Sequence, residues 1–164
     1  MMMRRLLLFC ALVACGTLVA IPVATAAQAK TIRLIEVERT LAPMGGLDAR
    51  FNSPPRAGQG LAITSDLYFW KGSSRGAHAG ILRVVCTFTE VDLEAQKAFV
   101  VCNGGMHLAG GTIAIGGSFP QADVFEVPVV GGTGAYVGAR GHVKVRSIGG
   151  DESSVSADTV FLLS

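Results

Sequence analysis

The stretch from Pro128 to Val145, PVVGGTGAYVGARGHVKV, sets the tightest limit on how this chain can fold. Five glycines (Gly131, Gly132, Gly134, Gly138 and Gly141) lie between two apolar runs. Val127, Val129 and Val130 read as the end of a strand. Gly131 to Gly134 read as a turn through conformations that a Cβ would forbid. Tyr136 and Val137 are expected to rejoin the hydrophobic layer. His142, Lys144 and Arg146 then alternate with Val143 and Val145, the two-residue period of a strand with one wet face.

The same period recurs along the chain, which reads as all-β with no convincing helix. Strands are expected at Thr31–Arg39, Gly60–Trp70, His78–Thr89, Gln96–Asn103, Gly111–Phe119, Val124–Val130, Gly141–Ser147 and Ser153–Leu162. A long loop rich in Gly and Pro is expected over Leu41–Gly58. Short, evenly spaced strands with glycine-rich corners point to a sandwich or a closed barrel. All but one of the 21 glycines lie beyond residue 29. Several, such as Gly116 and Gly117, fall inside strand patterns, where glycine permits sharp coiling.

Residues 1–29 read as a signal peptide. Arg4 and Arg5 precede an uncharged run, Leu6 to Ala20, and Ala27-Gln28-Ala29 offers a small-residue cleavage pattern before Lys30. A retained membrane anchor is the competing reading, near the lower limit of a spanning length. A twin-arginine signal and lipid attachment at Cys15 stay open as variants. Cleavage leaves one domain, residues 30–164, secreted and free of the membrane. It also removes two arginines, so basic and acidic residues balance and no electrostatic footprint for nucleic acid remains.

Of four cysteines, Cys86 and Cys102 lie in the exported part. A hairpin turning around Glu94 would set Cys86 opposite Cys102 and Phe88 opposite Val100. In an oxidising compartment this favours a disulfide worth about 3 kcal/mol. The alternative is two buried thiols acting as small hydrophobes.

The glycine-rich turn, Asp66-Leu67-Tyr68, Gly76 to Gly80, Gly111 to Gly117 and Gly138 to Lys144 follow one another in an order that resembles the allene oxide cyclase and dirigent families. The resemblance implies an eight-stranded antiparallel up-and-down β-barrel, a homotrimer and a hydrophobic cavity that shapes a reactive small molecule. It places Glu36 at the cyclases' first-strand carboxylate and Ser65 at their strand-two asparagine. Leu82 falls at their strand-three cysteine, Gly110 at a tyrosine, and Gly117 at the dirigent arginine. Two polar groups of the cyclase set are thus replaced, so no allene oxide cyclase activity is expected.

Around that frame, Glu36 is the candidate catalytic acid, and Glu38, Ser65, Asp66, Tyr68 and Leu82 are candidates for the cavity. Carboxylates close together inside a barrel would raise one pKa and supply a general acid. The competing reading turns both glutamates to water with Ile35 and Val37 in the core. Tyr68 either lines the cavity mouth or packs between strands, and Trp70 either caps the cavity or anchors a hairpin. His78, His107 and His142 lack metal spacing, so neither a metal nor a cofactor is expected. Three functions follow: a secreted dirigent-like barrel that binds a small apolar molecule without covalent catalysis, a cyclase or isomerase using Glu36, or an exported scaffold that works through the Leu41–Gly58 loop. An acid facing an open cavity would favour the second.

Overall fold

A computed structural model describes residues 29–163, apart from 49, 73 and 149–154. The signal segment therefore lies outside the described residues. Eight strands close into one antiparallel barrel, each bonded to the next and the last to the first. They are β1 (Ala29–Met44), β2 (Gly60–Lys71), β3 (Ser74–Asp92), β4 (Lys97–Leu108), β5 (Gly111–Pro120), β6 (Val124–Gly132), β7 (Arg140–Ser147) and β8 (Val155–Leu163). Closure leaves no unpaired edge, and eight strands enclose room for side chains or one small ligand.

The register follows from the side-chain period. Cys86 lies opposite Cys102 and Phe88 opposite Val100, as the hairpin pattern requires, and a disulfide joins the two cysteines. At one end of the barrel Leu34, Leu67, Met106, Ile113, Val143 and Val160 fill the interior almost without exposure. These side chains form a packed floor.

Four expectations are corrected. β1 does not stop at Arg39: after a bulge between Glu38 and Thr40 it continues to Met44, pairing Leu41 with Ile63 and Pro43 with Leu61. Its pairing with β8 ends at Val37, so Pro43 interrupts no ladder on that side. The loop is therefore shorter, and Leu47 from it is buried in the core.

On β1 the inward face is Ile32, Leu34, Glu36 and Glu38, not Ile35 and Val37. Ile35 is buried all the same, because Tyr68 and Ala157 stand directly opposite it on the two neighbouring strands. The glycine-rich turn also sits later than expected. Gly131 and Gly132 belong to β6, and the reversal is a short 3-10 turn, Gly134–Tyr136. Val137 projects into solvent, 77% exposed, instead of rejoining the core, because it ends that turn.

Gly134 and Gly141 are among the turn glycines that have no substitute here. Gly134, at φ +58°, passes against the Gly110 carbonyl, and Ala135 N–H bonds to the same oxygen at 2.8 Å. Gly141, at φ +135°, lies where a Cβ would collide with the Phe161 carbonyl on β8. The Gly110 position is itself overlaid by the Tyr136 ring.

Candidate functional site

Above the packed floor the lumen is open, a cavity of about 530 Å³. Its wall is apolar over most of its area, with Leu61, Ile63, Leu82, Val84, Phe88 and Phe119 among its residues. Phe119 stacks on Phe125 with ring centres 4.9 Å apart. Both cysteines of the disulfide also face this space.

One wall is polar. Glu36 on β1 accepts a hydrogen bond from Ser65 Oγ at 2.7 Å and another from Ser156 Oγ at 3.1 Å. Ser156 Oγ also lies 3.0 Å from Asp158 Oδ1. A hydroxyl has a single proton and cannot donate to both carboxyl groups at once. Both contacts are satisfied when Asp158 carries a proton and donates it to Ser156, which donates in turn to Glu36.

The environment of Asp158 agrees. Burial, then the neighbouring Glu36 charge and its hydrogen bond, push the Asp158 carboxyl well above the usual carboxylate range. Its side chain has no exposure, so water does not reach the carboxyl.

This protonation has a consequence for stability. The folded state holds the Asp158 proton to a higher pH than the unfolded chain does. The stabilisation is therefore complete below the unfolded pKa and is lost as pH rises through the folded one. Asp158→Asn, which has no charge to gain, should flatten this part of the profile. The gap between mutant and wild-type melting temperatures should shift in the mutant's favour from about pH 4 upward. Parallel thermal-unfolding curves across that range would show that Asp158 is not held protonated.

The other candidates divide between the two sides of the wall. Glu38 and Leu82 line the cavity, and Ser65 is fully buried behind Glu36. Asp66 and Tyr68 do not line it, because their strand positions alternate outward from Ser65 and Leu67. Asp66 meets Arg39 at 3.4 Å and His78 at 3.5 Å on the outer surface. Tyr68 packs its ring edge-on to His78, with Arg75 over its face. Trp70 lies in an outer groove with Lys30, Arg33 and Lys144. His107 contacts Thr112 and His142 stacks on Phe161. Among the described residues no group of three or more His, Cys, Asp and Glu is arranged to hold a metal.

Asp158 and Ser156 were missed in the sequence. The available signal was polar residues at a two-residue period, Ser156 and Asp158, continued by Val160 and Leu162 on the same face. The opposite face, Ala157, Thr159 and Phe161, is no more polar, so the pattern alone does not say which face is inside.

The dirigent-like protein family matches residues 76–162. No curated protein matches the sequence. Similar solved structures include a pyocyanin demethylase, with 20% identity and a TM-score of 0.64 over 80% of this chain and 99% of that one. An exo-specific intermolecular Diels-Alderase gives 17% identity and 0.63 over 84% and 98%. A pterocarpan synthase dirigent protein gives 14% identity and 0.64 over 85% and 97%. At these identities the structural likeness speaks for the barrel alone.

Proposed function

Because the chain belongs to the dirigent-like protein family, we propose that its lumen takes up one small, largely apolar molecule and promotes its rearrangement by lending it a proton. Glu36 is the catalytic residue in this reading, since it is the member of the acid array that faces the open space. Ser156 and Asp158 act through it, as a relay and a proton reserve. The observation that carries the proposal is the pair of carboxyl groups bridged by one serine in the wall of an otherwise apolar cavity. A pure binding module needs no such pair, because burying two acids costs stability unless they are used or well partnered. The inward acid therefore supports the cyclase or isomerase reading over binding without covalent chemistry, and the open lumen speaks against a scaffold.

The chemistry suited to this array is the isomerisation of a molecule that is already reactive. An epoxide oxygen accepts the proton and its C–O bond breaks. A hydride or carbon then migrates to the electron-poor carbon, and the proton returns to the array as a carbonyl forms. Nothing is gained or lost, so no co-reactant is needed. The test uses indene oxide, a neutral apolar epoxide that rearranges to 2-indanone. Wild-type protein should accelerate that conversion at neutral pH, and Val84→Trp, which fills the lumen, should abolish the effect. A rate equal to buffer with both proteins would remove the catalytic reading.

Export and trimeric association are part of the same proposal. Export is supported by the N-terminal pattern and the disulfide, and the trimer by the family resemblance. Among the described residues no helix is long and apolar enough to cross a membrane. Native mass spectrometry of protein from the culture medium should find chains beginning between Ala27 and Lys30 and associated in threes. Chains beginning at Met1 would exclude the cleavage, and a monomer mass the assembly.

A further inference from the structure

Four carboxyl groups line the cavity: Glu36 and Asp158 in the wall, and Glu38 and Asp123 with them. Among the described residues that line it there is no lysine, arginine or histidine. This is not the balance of the whole chain, where basic residues slightly outnumber acidic ones. The cations are placed elsewhere. Lys30, Arg33, Lys144 and Arg146 border the groove on the outer surface, while Arg39 sits outside with Asp66.

The remaining lining is apolar and aromatic, with Phe88, Phe119 and Phe125 around the space. A low-dielectric chamber with uncompensated negative charge attracts a cation, and the aromatic faces add to that attraction. It repels an anion for the same reason.

Building on the lumen-binding reading, we propose that the preferred guest is a planar or polycyclic organic cation, and that carboxylate-bearing lipids are excluded. The apolar walls hold the ring system, and the carboxylates of Glu38 and Asp123 select its charge. The expected absence of allene oxide cyclase activity gains an electrostatic reason, because a fatty-acid-derived allene oxide carries a carboxylate.

Three dyes of one ring system isolate the charge: 9-aminoacridine, a cation at pH 7.5, neutral acridine, and anionic acridine-9-carboxylate. Fluorescence titration should show 9-aminoacridine binding about tenfold or more tighter than acridine, and the carboxylate more weakly than either. In the Glu38→Gln/Asp123→Asn double variant the preference for the cation should shrink to about threefold or less. Should that variant fail to fold, salt gives the same readout on wild type. Raising ionic strength from about 0.02 to 0.5 M should weaken the cation's binding and leave acridine's unchanged. Binding must also be lost in Val84→Trp, which places it in the lumen and not in the outer groove. Acridine binding as tightly as 9-aminoacridine overturns the charge preference while leaving lumen binding intact. If none of the three dyes binds, the lumen-binding reading and this inference fall together.

Discussion

Glu36→Gln should slow the rearrangement of indene oxide by about 10²–10³-fold, while acridine binds within about twofold of wild type. The expectation rests on what the substitution keeps and removes. Glutamine has nearly the same size and can still accept the hydrogen bond from Ser65, so the cavity keeps its shape. It has no acidic proton to lend, and it breaks the path that runs from Asp158 through Ser156. A group that assists only as the C–O bond breaks affects rate and not ground-state binding. The variant also separates catalysis from fold, since it removes one charge from the cavity wall without opening a void. Equal loss of rate and of acridine binding would mean that Glu36 builds the cavity and takes no part in the reaction.

Loss of the disulfide should cost about 2–4 kcal/mol of stability. Cys86 and Cys102 are direct partners on neighbouring strands, separated by 16 residues of sequence. In the chain-entropy account, a loop of that size restricts the unfolded state by about 3 kcal/mol. Cys102 is 3% exposed, so serine there would add a hydroxyl that faces the apolar side of the lumen. Denaturant unfolding of Cys102→Ser should show a lower midpoint with a similar slope, and guest binding should weaken, because the bond forms part of the cavity wall. Wild-type protein under reducing conditions should move the same way. Unchanged midpoints in both cases would mean that the strand pairing needs no covalent support.

The barrel was readable because closure leaves its imprint in every strand. Val143 and Val145 alternate with His142, Lys144 and Arg146, and in the structure Val143 is wholly buried and Val145 lines the cavity. The pairing of Cys86 with Cys102 was readable because a tight hairpin fixes register by counting. The acid wall was only half readable. Glu36 could be named from the family pattern, yet β1 offered two plausible inner faces, that of Glu36 and Glu38 or that of Ile35 and Val37. A barrel strand flanked by bulky neighbours can bury both, as Ile35 does beneath Tyr68 and Ala157. Asp158 stayed hidden because its hydrogen-bonding context is made by Glu36, more than a hundred residues earlier in the chain. Asp66 and Tyr68 looked like cavity residues only while their strand had no assigned face. Once Ser65 and Leu67 are inside, the period of two sends both outward.

Among the described residues, the packed floor closes one end of the chamber. Leu34, Leu67, Met106, Ile113, Val143 and Val160 seal the far end, so whatever goes in must leave by the way it came. A long flexible guest has to double back or leave its tail outside. For two guests held together, the deeper one is first in and last out. Order-of-mixing experiments would see this as trapping: the dissociation of a bound dye should slow when a second small molecule is added after it, and not when the second is added before.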